Sequence, residues 1–143
     1  MLKSIDPLLN AKLLTVLAEM GHGDELAIVD ANFPAVTMGK RVVHISSSAV
    51  AALDAVLTLL PLDDFVDAPA AVMAVVGDPE AIPETVREFQ ASVNRAEGQA
   101  IKMDRIDRFA FYERTKSAFA VVATGETRLY GCILLKKGVI RPK

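Results

Sequence analysis

Short apolar runs alternate with stretches of helical periodicity along this chain. Apolar residues recur at helical spacing over residues 11–20, directly after Asn10, which is a typical N-cap residue. Gly21 follows at the position where a left-handed C-cap is expected. The continuous apolar run ELAIV (25–29) then predicts a strand that is covered on both faces.

The same alternation continues through the remaining residues. The pattern predicts further strands at 41–45, 70–76, 101–106, 119–123 and about 129–135. It predicts helices from the serines at 46–48 through Leu60, at 83–96 and near 107–117. We therefore expect an α/β fold: a single three-layer domain over residues 1–143, with a mixed sheet of short strands and helices on both faces.

Composition and charge argue against a membrane-spanning or nucleic-acid-binding protein. Of the 143 residues, 52% are hydrophobic, yet no apolar run approaches the roughly 20 residues of a membrane span. The excess apolar surface is therefore expected between subunits. The net charge of −2 and the lack of a basic run before the C-terminal KKGVIRPK argue against nucleic acid as the main partner. One cysteine and no signal-peptide pattern predict a cytoplasmic protein without disulfides.

Two polar features flank the first predicted strand. His22 lies between Gly21 and Gly23, and the strand ends on Asp30. A histidine in a loop is most often merely solvated, and a turn or capping role suits Asp30 about as well as a ligand contact. The sequence has no phosphate-binding glycine loop, and two distant histidines with one cysteine argue against a zinc site.

Three longer stretches carry a resemblance to a known family. LLTVLAEMGHGDELAIVDANFP near the start, RFAFYERTKSAFAVVATGE at 108–126 and YGCILLKKGV at 130–139 resemble the L-fucose mutarotase family, whose sister group is the D-ribose pyranases. The resemblance covers residues 1 to about 139. It implies interconversion of the α and β anomers of a monosaccharide without a cofactor or metal. It also implies a ring-shaped homo-oligomer, commonly a decamer.

The resemblance assigns roles to individual residues. His22 would be the catalytic proton donor, and Asp30 and Arg108 would bind sugar hydroxyls. The arginine at position 108 matches fucose-type members, where ribose-type members have histidine. The proposed chemistry needs a group that exchanges protons near neutral pH, and histidine is such a group.

The third motif contains the one marked departure. Tyr130 and Gly131 would contact the sugar, but Cys132 stands where fucose-type members have asparagine. A thiol offers one weak donor where an amide offers two donors and an acceptor. The exact sugar, L-fucose or a similar monosaccharide, is therefore left open.

Strand length bears on how such a site is assembled. Eight residues separate His22 from Asp30, which is up to about 26 Å in extended chain. Either the chain curls sharply at both ends of the strand, or one sugar meets these residues from two different subunits. We favour the shared site. A non-catalytic monosaccharide-binding oligomer, associated with sugar uptake or catabolism, is the alternative function.

Several other side chains are interpreted as structural. Phe109, Phe111 and Tyr112 are expected to pack within their helix, and Lys137 is expected at a solvated end of the chain. His44, in the second strand, is interpreted as a structural or surface residue.

Overall fold

Helices and strands alternate along residues 1–143, all of which the computed structural model describes. The helices are α1 (Ala11–Glu19), α2 (Ala35–Met38), α3 (Ala49–Leu57), α4 (Glu84–Glu97) and α5 (Arg108–Ser117). The strands are β1 (Glu25–Val29), β2 (Val42–Ile45), β3 (Ala70–Met73), β4 (Met103–Ile106), β5 (Ala120–Thr124) and β6 (Ile133–Lys136). They form one six-stranded sheet in the order β2-β5-β1-β6-β3-β4, in which β6 alone runs antiparallel to its neighbours.

The sheet has an apolar core on each face. Along β1, Leu26 and Ile28 pack into the core that includes α1, α3 and α4, whereas Ala27 and Val29 pack into the core with α2 and α5. Alternate residues of a strand point to opposite faces, so a continuous apolar run is what a doubly covered strand requires. The predicted mixed sheet with helices on both faces is confirmed. No helix of the structure has the length and apolar character needed to cross a membrane.

The helices begin close to where the sequence predicts, but α1 does not end in the predicted way. Asn10 caps α1 by accepting a hydrogen bond from the Leu13 amide at 3.0 Å, as predicted. The prediction of a left-handed cap at Gly21 is wrong, because α1 ends on Met20 in extended conformation and the left-handed glycine is Gly23 (φ 86°).

A lysine from the far end of the chain replaces that glycine cap. The Lys137 ammonium donates to the carbonyls of Leu17 and Met20 at 2.9 and 2.5 Å. Carbonyls in the last turn of a helix lack partners, and a cation there satisfies them. The expectation that Lys137 is simply solvated is therefore wrong.

The predicted strand bounds are too long at one edge of the sheet. The third strand ends at Met73 instead of residue 76, and the last begins at Ile133 instead of 129. The short helix α2 was not predicted from the sequence at all. All three differences lie at the end of the sheet where β1 and β3 end and β6 begins.

The topology defines two opposite edges of the sheet. We call the carboxyl edge the one where the five parallel strands end and β6 begins; it carries Asp30, Arg108 and residues 130–132. We call the amino edge the opposite one, where residues 21–24 precede β1 and β6 ends at Lys136. In open α/β sheets, ligands gather beyond the carboxyl ends of the strands.

Candidate functional site

Asp30 is a buried carboxylate at the carboxyl edge, directly after β1. Its Oδ1 accepts a hydrogen bond from the Asn32 amide at 3.0 Å. Its Oδ2 accepts from the Gly131 amide at 3.2 Å and from the Cys132 thiol at 3.3 Å. These three donors hold the carboxylate in one orientation, which is what a preorganised binding group requires.

A cavity of about 160 Å³ opens beside this carboxylate. Asp30, Asn32, Tyr112, Tyr130 and Cys132 are among the residues that line it. The volume is smaller than the roughly 300 Å³ at which pockets for drug-sized ligands begin. The cavity therefore suits a small polar molecule, or part of a site that another surface completes.

Tyr130 has an unusual backbone conformation at the wall of this cavity. Its φ of 60° lies in the left-handed region, which a bulky residue rarely adopts. Its hydroxyl accepts a hydrogen bond from the Val76 amide at 3.0 Å, and its carbonyl accepts one from the Thr85 hydroxyl at 3.5 Å. Such a conformation persists only where the surrounding structure holds it in place, and residues of this kind concentrate at functional sites.

Gly131 is next to Tyr130, and its position leaves no room for a side chain. A Cβ at this residue would lie 2.7 Å from the Glu126 Cγ and 3.3 Å from the Asp30 Cβ. The absence of a side chain lets the Gly131 amide reach the Asp30 carboxylate. The need for glycine here is thus steric.

The loop before Gly131 is held by two ion pairs of Arg128, one with the buried Glu126 and one with the partly exposed Glu88. Arg128 donates to both carboxylate oxygens of Glu126, and also to both oxygens of Glu88 at 3.1 and 3.0 Å. The hydrogen bonds from Arg128 lower the pKa of Glu126 to about 2, against the desolvation that burial imposes on the charge. These ion pairs could not be predicted from the sequence, since nothing in the spacing of the three residues distinguishes them from surface charges.

Cys132 is buried, and it both lines the cavity and contacts the Asp30 carboxylate. Burial raises the pKa of its thiol well above the ordinary value, and the negative charge of Asp30 raises it further. The group is therefore a neutral thiol that donates to Asp30 Oδ2, while its sulfur also lies 3.5 Å from the Asp30 amide.

Arg108 is the first residue of α5, which Asp107 caps by accepting from the amides of Phe109 and Ala110. Its guanidinium is exposed, takes part in no ion pair and lies 4.8 Å from the ring centre of Phe109. It is thus at the carboxyl edge with Asp30, with its donors free for a ligand.

The aromatic residues of α5 differ in their packing. Phe111 is fully buried, and Tyr112 lies edge-on to the Phe33 ring with 5.2 Å between ring centres. Phe109 is exposed, so the expectation that it packs within the helix is wrong. Arg108 and Phe109, the first two residues of α5, are both exposed, whereas Phe111 later in the same turn faces the core. His44 is exposed on β2, in agreement with its interpretation as a surface residue.

His22 lies at the opposite edge of the sheet. The adjacent Gly23 amide donates to the Lys137 carbonyl at 2.8 Å, which ties this loop to the end of β6. The His22 Nε2 lies 3.0 Å from the Asp63 Oδ1, and its ring centre lies 5.1 Å from that of Phe65. The sequence offered no signal for Asp63 or Phe65, which precede β3.

The structure therefore brings Asp30, Tyr130, Gly131 and Cys132 together and places Arg108 at the same edge, but it does not bring His22 to them. The five residues of β1, roughly 17 Å at about 3.3 Å per residue, lie between His22 and Asp30. The sharp curl that would join them within one chain does not occur. No group of three or more His, Cys, Asp or Glu side chains converges as metal ligands would.

Comparison with known proteins gives a consistent result along nearly the whole chain. Residues 3–140 match the model of the RbsD / FucU transport protein family. The chain is 44% identical over 140 residues to L-fucose mutarotase of Actinobacillus pleuropneumoniae, covering 97% of both chains. It is 47% identical over 146 residues to human fucose mutarotase, covering 97% of this chain and 94% of that protein.

A solved structure agrees with these sequence matches. Fucose mutarotase of Streptococcus pneumoniae, determined in complex with L-fucose, superposes with a TM-score of 0.92 and 38% identity. The superposition covers 98% of this chain and 100% of that one.

Proposed function

Since this chain belongs to the RbsD / FucU transport protein family, we propose that it is an isomerase of the L-fucose mutarotase type. It interconverts the α and β anomers of L-fucose or a similar monosaccharide. The observation that carries this proposal is the full-length identity of 44–47% to named mutarotases. The buried Asp30 carboxylate, held by three donors beside a small cavity, supplies a matching binding group.

The reaction opens and recloses the sugar ring, and what the protein must supply is a group that donates and accepts protons. Opening the ring breaks the bond between the anomeric carbon and the ring oxygen, which gains a proton while the anomeric hydroxyl loses one. Closing the ring on the other face of the carbonyl reverses both transfers, so no atoms or electrons are gained or lost. An imidazole that can both accept and donate a proton serves both directions near neutral pH.

Asp30 has limited remaining capacity for sugar hydroxyls. An ionised carboxylate has about four acceptor positions. The amides of Asn32 and Gly131 and the thiol of Cys132 occupy three of them. Asp30 thus accepts about one hydroxyl, and Arg108 supplies free donors at the same edge.

We propose further that each site is shared between two copies of the chain. His22 at the amino edge of one copy would meet Asp30 and Arg108 at the carboxyl edge of another. Exposed apolar side chains support this contact, because they occur at both edges: Phe109 and Leu129 at the carboxyl edge, Phe65 at the amino edge.

Contact between two different edges has a consequence for assembly. Such a heterologous contact repeats from copy to copy and closes into a ring when the rotation allows it. A ring-shaped homo-oligomer, a decamer as the family resemblance implies, is therefore the assembly we propose. A cytoplasmic location fits the unpaired thiol of Cys132.

The test of the function is saturation-transfer NMR between the anomer signals of a sugar panel that includes L-fucose and D-ribose. The wild-type protein should accelerate exchange for L-fucose or a close relative. His22→Ala should lower the exchange rate by roughly 10²-fold or more, because that is the typical contribution of a general acid or base. The matched control His44→Ala removes the only other histidine, which is exposed, and should leave the rate unchanged.

Two outcomes would contradict the proposal. An exchange rate of His22→Ala within about threefold of wild type would remove His22 from the mechanism. Binding of a sugar with no accelerated exchange for any member of the panel would favour the alternative, a non-catalytic monosaccharide-binding oligomer associated with sugar uptake or catabolism.

A further inference from the structure

Arg128 joins two parts of the chain that are distant in sequence. Its Nε and Nη2 donate to the two carboxylate oxygens of Glu126, at 2.9 and 3.0 Å. Its Nη1 and Nη2 donate to the two oxygens of Glu88 in α4, at 3.1 and 3.0 Å. The Glu126 side chain is 4% exposed, so one end of this arrangement is buried in the loop after β5, and the other lies on a helix. We call these three residues the arginine bridge.

Glu126 contacts the segment that carries Asp30. Its carbonyl accepts a hydrogen bond from the Ala31 amide at 2.8 Å. Its side chain lies against Gly131, since a Cβ at that glycine would be only 2.7 Å from the Glu126 Cγ. The position of Glu126 is therefore coupled to that of Gly131, whose amide donates to the Asp30 Oδ2 at 3.2 Å.

Helix α4 holds the same loop at two points. The Thr85 hydroxyl donates to the Tyr130 carbonyl at 3.5 Å, and the Glu88 carboxylate accepts from Arg128. Residues three apart in a helix lie on the same face, so one face of α4 receives both contacts. The hydroxyl contact is long, and the charged contact through two hydrogen bonds is therefore the stronger one. It supports a loop whose Tyr130 backbone, at φ 60°, is in the left-handed region.

We propose that Arg128 is a positioning residue for sugar binding, and that the arginine bridge keeps the Gly131 amide on the Asp30 carboxylate. The proposal rests on the proposed function of the Asp30 site. With its amide and thiol donors in place, Asp30 presents one fixed acceptor position to a sugar hydroxyl. Arg128 acts through Gly131 and not by contact with the sugar, because its four bonds to carboxylate oxygens leave one of its five N–H donors.

Three variants separate the bridge from the charge of Arg128. Arg128→Ala removes both contacts. Arg128→Lys keeps a positive charge, but an ammonium lacks the planar fork that bonds both oxygens of two carboxylates. Glu88→Ala removes the contact with α4 and leaves the pair of Arg128 with Glu126 intact. If Arg128 merely neutralised the buried charge of Glu126, Arg128→Lys and Glu88→Ala would both behave as the wild type.

The same helix supplies a matched control. Arg95 in α4 pairs with Asp54 of α3 at 2.8 Å, and both side chains are exposed. Arg95→Ala therefore removes a cation and an ion pair between two elements, but no contact with the loop that carries Gly131.

The first readout is hydrogen exchange at the Gly131 amide, which needs no sugar. Mass spectrometry with fragmentation to single residues measures its exchange rate in the assembled protein. The rate should rise by about tenfold or more in Arg128→Ala, because the hydrogen bond to Asp30 opens more often. It should rise less in Arg128→Lys and Glu88→Ala, and by less than about twofold in Arg95→Ala.

The second readout separates KM from kcat in anomer exchange of L-fucose. Arg128→Ala should raise KM by about 5- to 20-fold, part of the roughly 10- to 100-fold cost of losing one hydrogen bond to a charged group. Its kcat should fall by less than about threefold, because His22 is at the other edge of the sheet. A protein that had merely unfolded in part would show a lower apparent kcat and an unchanged KM. Arg128→Lys and Glu88→Ala should raise KM by about two- to fivefold, and Arg95→Ala by less than about twofold.

The outcomes separate this proposal from the function itself. An unchanged Gly131 exchange rate in Arg128→Ala would overturn the proposal, as would an unchanged KM. If the wild type accelerates exchange of no sugar, the proposed function fails, while the Gly131 exchange rates still decide whether the arginine bridge positions that amide. Should Arg128→Ala lose its fold by circular dichroism, Glu88→Ala gives the decision, since it removes only the partly exposed end of the bridge. A KM and a Gly131 exchange rate equal to those of Arg95→Ala would then overturn the proposal.

Discussion

Mixing two inactive variants tests whether one sugar site takes residues from two chains. His22→Ala removes the amino-edge half of a site, and Arg108→Ala removes the carboxyl-edge half. Each protein alone should be inactive. Unfolding the two together and refolding them should produce rings in which some contacts join an intact His22 to an intact Arg108 of the next copy.

The shared-site proposal sets the size of the recovery. Each shared site takes its amino edge from one copy and its carboxyl edge from another. In a random 1:1 mixture, half of the amino edges and half of the carboxyl edges are intact, so about one quarter of the sites are complete. Activity should therefore reach about 25% of the wild-type value at 1:1, and about 19% at 3:1 in either direction.

A second pair of variants is the control. Asp30→Ala and Arg108→Ala both damage the carboxyl edge, so no mixture of them restores an intact one. The assay is anomer exchange by saturation-transfer NMR, with subunit exchange verified by native mass spectrometry of differently labelled chains.

Two results would refute the reasoning. Mixed rings of His22→Ala and Arg108→Ala without activity at any ratio would show that the site does not combine the two edges of different copies. Recovery by Asp30→Ala with Arg108→Ala would show that the carboxyl edge is not a single half-site.

Three further predictions concern the carboxyl edge. Cys132→Asn should tighten L-fucose binding by about 0.5–1.5 kcal/mol, one hydrogen bond, in calorimetric titration; unchanged or weaker binding would contradict a sugar contact at this position. Gly131→Ala should cost about 1–3 kcal/mol of unfolding free energy in urea and weaken sugar binding, because its Cβ would lie 2.7 Å from the Glu126 Cγ. Gly125→Ala, whose Cβ would have no contact closer than 3.5 Å, should be near neutral, and equal costs for both glycines would refute the steric argument. Because its pKa is lowered from 4.5 to about 2, Glu126 contributes stability that is present above pH 4.5 and lost as the pH falls towards 2. Glu126→Gln should therefore be less stable at neutral pH and lose less stability between pH 4.5 and 2, which urea unfolding at several pH values measures; parallel pH curves for the two proteins would contradict this.

The layers of this fold could be predicted from sequence because burial leaves a periodic pattern. Residues 26–29 are all apolar because β1 lies at the centre of the sheet and both of its faces are covered. Cap residues such as Asn10 act within a few residues of their own position, so their effect is also visible locally.

The predictions that were wrong or missing share a different cause, which is contact between residues that are distant in sequence. Gly21 lost its expected role because Lys137, more than a hundred residues away, binds the end of α1. Asp63 reaches His22 across 41 residues, and no spacing rule predicts such a pair. The carboxyl-edge residues were found through family resemblance, whereas their hydrogen bonds to one another required coordinates.

The position of β1 also dictates when the nascent chain can fold. The two neighbours of β1 are β5 and β6, the last two strands, so Leu26 pairs with Ala120 on one side and with Leu135 on the other. Early in synthesis, β1 has an apolar surface but neither of its partners, and contacts so distant in sequence form slowly. The central sheet can close only after β6 has left the ribosome exit tunnel, so until then α1 and α3 can cover one face of β1 while both of its strand neighbours are missing.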